Sequence, residues 1–200
     1  MINTGILIFN EVEVLDFAGP FEVFSISENP HTKENLFNVF TIAQHSDSIT
    51  ARNGLKVIPD YTFSDFPDMD ILIIPGGYGA EEIEIHNTVL LNWIKEADSR
   101  VKTIASICTG AFLLAESGVI SSHEVTTHWM DIERLQRNYP GLRVAANRKF
   151  VDQGHVLTSG GISAGIELSL YIVSKYSSMK TAVNTAKRIE YDCDFSKFPE

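Results

Sequence analysis

Cysteine is scarce in this chain, and long apolar runs are missing from it. Its 200 residues include only two cysteines, Cys108 and Cys193, too few for the disulfide framework of a secreted domain. No apolar stretch approaches the roughly 20 residues that a membrane helix needs. No basic leader precedes the first apolar run, as a signal peptide would require. We therefore expect a cytoplasmic protein that makes no contact with a membrane.

Positive charge is also sparse. The 16 lysines and arginines are outnumbered by 26 aspartates and glutamates, so the formal net charge is -10. The basic residues are scattered and form no stripe that would attract phosphate groups. The sequence also has no metal-ligand spacing, no phosphate-binding glycine loop and no dinucleotide fingerprint. These absences argue against a nucleic-acid partner and predict a protein that needs no metal or cofactor.

The sequence does contain a regular alternation of strand-like and helix-like segments. Short apolar runs between turn formers indicate buried strands, and apolar residues at near-helical spacing indicate helices. The predicted strands cover residues 4–10, 36–43, 70–77 and 102–108, with short strands within 142–161. The predicted helices cover residues 19–28, 80–99, 109–118, 130–141, 163–176 and 179–191. This order predicts one α/β domain over residues 1–200, with a mostly parallel sheet and helices on both faces.

Turn-forming residues set several of the predicted boundaries. Asn53-Gly54 lies between two strand-like runs and indicates a β-hairpin. Pro20 suits the first turn of the first predicted helix. Gly118 and Pro140 each end a predicted helix, and Gly154 separates two of the last strands.

The segment SICTGAFLLAESG, residues 106–118, places Cys108 at a predicted strand-to-helix turn. Ser106 and Gly110, two residues to either side, are small, which is the pattern of a sharp nucleophile elbow. A helix N-terminus and a hydrogen-bond donor to the sulfur would lower the pKa of the thiol from its usual ~8.5 and activate it. The alternative is an inert cysteine that packs as a small apolar residue.

Two further strand ends carry residues that a parallel sheet would bring to the same edge. Asp16 follows the first strand in apolar surroundings and is a candidate proton donor; alternatively, it caps the next helix. Gly76 and Gly77 offer backbone amides that, together with the amide of Thr109, would bind developing negative charge. The alternative for the glycines is a tight turn.

His128 stands in the segment TTHW, directly before Trp129. Its imidazole is a candidate general base or a donor that orients the substrate. A hydrogen-bonded histidine in the core fits the sequence equally well.

Taken together, these segments resemble the ThiJ/PfpI superfamily, whose members share a flavodoxin-like fold of the class I glutamine amidotransferase type. The matching pieces, in chain order, are LDFAGPFEVF, LIIPGGYG, ICTGAFLLAESGVI, TTHW, LTSGGISAGIELSLYIV and IEYD. The resemblance is closest to the isocyanide hydratase subgroup and extends to the amidase-like N-terminal domains of some AraC-type regulators. It implies a homodimer.

The resemblance also implies roles for individual residues. Cys108 matches the nucleophile, and Asp16 matches the acid that contacts the nucleophile's sulfur in the hydratases. Gly77 matches a position whose backbone amide lies near the oxyanion. Thr109 occupies the position after the nucleophile, where the protease-like members carry histidine. This difference argues against a peptidase.

Three functions are compatible with these interpretations. The favoured one is a cysteine-dependent addition of water to a small molecule, converting an isocyanide to an N-substituted formamide. The second is glyoxalase-like chemistry on a 2-oxoaldehyde, through a hemithioacetal on Cys108. The third is a redox sensor or ligand-binding module in which Cys108 is oxidised without turnover.

Overall fold

A computed structural model describes residues 1–199 of the chain. Its strands, in chain order, are β1 (Ile2–Leu7), β2 (Phe37–Ala43), β3 (Ile49–Thr50), β4 (Lys56–Val57), β5 (Tyr61–Thr62), β6 (Ile71–Ile74), β7 (Thr103–Ser106), β8 (Glu124–Val125), β9 (Arg143–Val144), β10 (Phe150–Gln153) and β11 (Val156–Ser159). Its α-helices are α1 (Val14–Ser25), α2 (Thr88–Asp98), α3 (Gly110–Glu116), α4 (Ile132–Asn138), α5 (Ala164–Tyr176) and α6 (Met179–Arg188).

Seven strands form the central sheet, in the order β10-β11-β7-β6-β1-β2-β5. Every neighbouring pair is parallel except β10 and β11, which are antiparallel. All residues of β6 and β7 are buried, as expected for strands covered on both faces. The helices α1, α5 and α6 pack together, as do α2 and α3, and they flank the sheet. The predicted α/β class with a mostly parallel sheet is confirmed.

The strand order determines where a site can form. From β1 the chain continues to β2 on one side, whereas β6, β7 and β11 lie on the other side of β1. The order therefore reverses between β1 and β6. At such a point the loops that leave the carboxyl ends of the strands diverge and leave a crevice. The segments after β1, β6 and β7 meet at this crevice.

Most of the predicted turns are present. Asn53 and Gly54 have φ angles of 61° and 93° and connect the antiparallel strands β3 and β4, as the hairpin signal indicates. Gly118 follows α3 with a φ of 79°, and Gly154 has a φ of 83° between β10 and β11. The helix predicted over 130–141 is shorter, because Trp129–Asp131 forms a 3-10 turn before α4.

The first helix corrects a predicted boundary. It begins at Val14 rather than at residue 19, so Pro20 lies inside the helix and not in its first turn. The start is fixed by a contact distant in sequence, since the Glu13 N–H donates to the Gly76 carbonyl at 2.9 Å. Proline in a helix interior forfeits one hydrogen bond, but the burial of Phe17, Pro20 and Phe24 stabilises the whole segment.

The helix predicted over 80–99 is also shorter than expected. Residues 79–86 form turns of other helix types, and α2 begins only at Thr88. Asn87 determines this start, because its side-chain oxygen accepts from the Leu90 N–H at 3.3 Å as an N-cap. Its Nδ2 also donates to Gln44 at 2.8 Å and to Glu84 at 2.7 Å.

Replacing Asn87 by alanine is expected to destabilise the protein by about 2 kcal/mol, the upper end of the range for a lost N-cap. The magnitude is high because the two side-chain hydrogen bonds are lost together with the cap. Asn87→Ser restores only the capping oxygen, so about half of the loss should return. Urea unfolding of the three proteins tests this, and equal stability of the alanine and serine variants would contradict the capping role.

Within residues 1–199, none of the helices combines the length and the apolar composition that crossing a bilayer requires.

Candidate active site

A cavity of about 480 Å³ opens at the crevice between the strand ends. It brings together four of the residues singled out from the sequence, namely Gly77, Cys108, Thr109 and His128. The other lining residues are Glu13, Arg52, Glu81, Met130, Asp131, Arg134 and Ile162. Asp16 lies below this surface and is fully buried.

Cys108 occupies a strained backbone position at the turn between β7 and α3. Its φ is 55°, in the left-handed region that residues other than glycine seldom adopt. Its N–H donates to the Gly160 carbonyl at 3.1 Å, and its carbonyl accepts from the Thr127 hydroxyl at 2.8 Å. A Cβ at Gly110 would approach the Ile74 carbonyl oxygen to 2.2 Å, so only glycine fits there. The sharp elbow therefore depends on the small residue that follows it.

Asp16 is the third residue of α1 and does not cap it. Glu13 occupies the N-cap position. The Asp16 Oδ2 atom accepts from the Gly76 N–H at 3.0 Å. Its Oδ1 atom is buried and has no hydrogen-bond partner of ordinary geometry among the described residues. The capping alternative is therefore wrong.

Burial raises the pKa of Asp16 to about 7, and the nearby charge of Glu13 acts in the same direction. The Gly76 N–H, the Cys108 side chain and the Ile162 N–H lower this pKa, but their combined effect is smaller. Asp16 is thus a carboxyl group that can both hold and release a proton near neutral pH, beside a thiol.

The Cys108 thiol does not behave as the sequence suggested. The residue is only 6% exposed. Burial and the charge of Asp16 raise its pKa, whereas the Thr109 N–H and hydroxyl lower it by less. The expected activation by the helix N-terminus is therefore outweighed by burial. Cys108 and Asp16 are therefore a coupled pair, in which the charge of Asp16 disfavours ionisation of the thiol.

The backbone amides of Gly76 and Gly77 are not available to a substrate. The Gly76 N–H donates to Asp16, and the Gly77 N–H donates to the Thr109 hydroxyl at 2.9 Å. The prediction that these two amides bind negative charge is therefore wrong, because both are already satisfied inside the protein. At Gly77 the φ is 112°, and a Cβ would lie 2.4 Å from the Glu13 nitrogen. The tight-turn alternative describes these glycines correctly.

Thr109 remains as a donor in the cavity. Its hydroxyl is engaged with the backbone of Gly77, and its N–H lowers the pKa of the Cys108 thiol. The N–H is therefore the group that can stabilise charge at the reacting atoms.

His128 lines the cavity and is not a core residue. Its side chain is 20% exposed, and its Nδ1 lies 3.6 Å from Asp131 Oδ2. The ring packs directly on the backbone of Gly161, where an added Cβ would lie 2.0 Å from the His128 Cδ2.

The sequence reasoning missed the turn that follows β11. The Gly160 carbonyl accepts from the Cys108 N–H, and the His128 ring packs on Gly161. The Ile162 N–H lowers the pKa of Asp16. Ile162 has a φ of 50°, which is rare for a β-branched residue. A glycine pair after a predicted strand was the available signal, the same one that drew attention to Gly76 and Gly77. Asp131 and Arg134 carried no comparable signal.

Among residues 1–199 no three or more His, Cys, Asp or Glu side chains are grouped so that they could hold a metal ion.

A family model described as the DJ-1/PfpI family matches residues 4–175 of the chain. An isonitrile hydratase of Pseudomonas putida is 28% identical over 191 residues, which are 95% of this chain and 78% of that protein. The transcriptional regulator CdhR of Pseudomonas aeruginosa is 26% identical over 88% of this chain, which spans 51% of the regulator. A solved ThiJ/PfpI family protein of Pseudomonas syringae has a TM-score of 0.82 at 24% identity, with 96% of this chain and 76% of that chain covered.

Proposed function

The chain belongs to the DJ-1/PfpI family, and on that premise we propose that it is a cysteine-dependent enzyme that adds water to a small molecule. The favoured reaction converts an isocyanide to an N-substituted formamide. The observation that carries this proposal is the pairing of the Cys108 thiol with a buried Asp16, whose pKa of about 7 suits proton transfer at neutral pH. The similarity to a protein named isonitrile hydratase supports the same reaction.

In the proposed first step, the Cys108 sulfur attacks the terminal carbon of the isocyanide R–NC. Asp16 takes the thiol proton on its unpartnered Oδ1 atom and delivers it to the same carbon. The product is the thioimidate R–N=CH–S–Cys108, and Asp16 returns to its ionised form. A thiol with a raised pKa suffices for this step, because its base lies beside it.

In the proposed second step, water adds to the thioimidate carbon and the carbon–sulfur bond breaks. The two water protons finish on the nitrogen of the product and on the sulfur, and the oxygen becomes the formamide carbonyl. The Thr109 N–H stabilises charge near the sulfur during both steps. The cavity of about 480 Å³ suits a small organic substrate.

The proposal is tested by incubating the purified protein with an aryl isocyanide and, separately, with methylglyoxal. We expect the protein to form the N-aryl formamide, and chromatography detects this product. Lactate from methylglyoxal without any formamide would favour the glyoxalase-like alternative. No turnover of either compound, with oxidation of Cys108 by dilute peroxide, would favour the redox sensor. Either of these results would overturn the hydratase.

A further inference from the structure

We infer that Thr127 is a positioning residue for Cys108. Its hydroxyl holds the peptide group between Cys108 and Thr109, and thereby directs the Thr109 N–H at the sulfur. Thr127 lies just after β8 and does not line the cavity, so it acts only through the residues of the elbow. The inference deepens the function proposed above, and its expected effect on turnover rests on that function.

The backbone of Cys108 is held in place by its surroundings. A φ of 55° is unfavourable for a residue with a side chain, and it persists only where neighbouring groups fix it. Two hydrogen bonds do so, one on each side of the residue. The Cys108 N–H donates to the Gly160 carbonyl at 3.1 Å, and the Cys108 carbonyl accepts from the Thr127 hydroxyl at 2.8 Å. The second bond is the one that fixes the peptide group after Cys108.

This peptide group carries the donor that acts on the sulfur. The Cys108 carbonyl and the Thr109 N–H belong to one planar unit and point in opposite directions from it. A fixed carbonyl therefore fixes the direction of the N–H, which lowers the pKa of the Cys108 thiol. A hydrogen bond to the carbonyl also polarises the unit and makes its N–H a stronger donor. Thr127 thus supports the amide that remains available for charge at the reacting atoms, since the amides of Gly76 and Gly77 are engaged.

The position of Thr127 is fixed by its neighbours. The residue is 2% exposed, and its hydroxyl makes this hydrogen bond and no other within residues 1–199. The preceding Thr126 N–H donates to the Thr158 hydroxyl at 2.8 Å, and the Thr126 hydroxyl donates to the Ala145 carbonyl at 2.8 Å. Thr158 lies in β11, which pairs with β7. The segment is therefore tied to the strands from which the elbow of Cys108 emerges.

Ser159 is the competing candidate, because its hydroxyl also reaches the elbow. It donates to the Gly160 carbonyl at 3.2 Å and to the Ser106 carbonyl at 3.5 Å, which is long for a hydrogen bond. Neither carbonyl belongs to the peptide unit that carries the Thr109 N–H. Ser159 therefore supports the other side of the elbow and does not set the direction of that N–H.

Alkylation of the thiol by iodoacetamide tests the inference without any assumption about the substrate. Peptide mass spectrometry follows Cys108 and Cys193 separately, and Cys193 serves as the internal standard that should react equally in all variants. In Thr127→Val, alkylation of Cys108 should slow by about tenfold, because a weakened donor leaves less thiolate. The effect is smaller than the loss of about 10²–10³ for a deleted oxyanion donor, since the N–H itself remains. Thr127→Ser keeps the hydroxyl and should react nearly as fast as the unaltered protein.

Thr126→Val is the matched control. The Thr126 hydroxyl is equally buried and also donates to a backbone carbonyl at 2.8 Å, that of Ala145, which is not part of the elbow. The two valine variants should therefore lose similar stability in urea unfolding, whereas only Thr127→Val should slow alkylation. On an accepted isocyanide, Thr127→Val should lower kcat by about tenfold and leave KM nearly unchanged, because Thr127 does not touch the cavity.

The outcomes separate the inference from the proposed function. Normal alkylation of Cys108 in Thr127→Val, or equal slowing in Thr126→Val, would overturn the positioning role whatever reaction the protein catalyses. Slow alkylation in Thr127→Ser would also overturn it, because the hydroxyl would then not be the group that matters. If Thr127→Val does not unfold cooperatively, Thr127→Ala, which places no methyl group beside the carbonyl, takes its place with the same expected and contradicting results. Absence of formamide with the unaltered protein would refute the hydratase, and the alkylation rates would still decide the role of Thr127.

Discussion

Replacement of Cys108 by serine is expected to lower turnover by about 10⁴-fold or more, the scale seen when a nucleophile is removed. A hydroxyl is a much weaker acid than a thiol, so Asp16, with a pKa of about 7, cannot deprotonate it during attack. Serine is close to cysteine in size and would adopt the same left-handed backbone, with φ near 55°. The fold should therefore persist. Steady-state rates and thermal melting curves measure both quantities.

Cys193→Ser provides the matched control for this experiment. Cys193 is partly buried near Glu167 and does not line the cavity, so its replacement should leave turnover unchanged. Substantial activity in Cys108→Ser, or comparable losses in both variants, would contradict a nucleophilic Cys108. A Cys108→Ser protein that fails to melt cooperatively would indicate a structural role instead.

Replacement of Asp16 by asparagine is expected to lower turnover by about 10²-fold or more, the usual loss when a general acid–base group is removed. Asparagine keeps the size of the side chain and an oxygen that can accept from Gly76. It cannot take the thiol proton or deliver it to the substrate carbon. Turnover measured on the accepted substrate tests this directly.

The same variant should change how stability depends on pH. The pKa of Asp16 is about 7 in the folded protein, above its ordinary 3.8. Below pH 3.8 the group is protonated whether the protein is folded or unfolded. As pH rises to 7, the unfolded chain releases this proton while the folded protein retains it, so the free energy of unfolding falls. The difference between the ordinary pKa of 3.8 and the pKa of about 7 in the folded protein corresponds to about 4 kcal/mol. Asp16→Asn removes this loss, so its stability relative to the unaltered protein should increase by up to that amount between pH 4 and pH 8.

Other titrating groups are common to both proteins and cancel in this comparison. Glu22→Gln, an exposed acid on the same helix, is the control and should show no such pH-dependent gain. A constant difference in melting temperature between Asp16→Asn and the unaltered protein from pH 4 to 8 would show that Asp16 is already ionised at low pH when folded. A turnover equal to that of the unaltered protein would reject the catalytic role.

The sequence by itself determined the fold class and the position of the cysteine at the site. Buried strands appear in the sequence as apolar runs between turn formers, and helices appear as apolar residues at near-helical spacing. Each pattern can be recognised because it follows from local backbone geometry. The elbow at Cys108 could be recognised because a sharp turn excludes bulk nearby, as the contact between Gly110 and the Ile74 carbonyl demonstrates. The order of the strand ends then indicated that Asp16, Gly76 and Cys108 would meet.

Only the tertiary structure decided which hydrogen bonds and pKa values these residues have in the folded protein. Asp16 and Gly76 are 60 positions apart, yet the hydrogen bond between them occupies the amide that the sequence offered to a substrate. Burial raised the pKa of both Asp16 and Cys108, an effect that depends on all surrounding elements and not on neighbours in the chain. The support of His128 by Asp131 and Gly161 arises in the same way. Desolvation and the pairing of polar groups are properties of three-dimensional packing, and therefore no local sequence pattern encodes them.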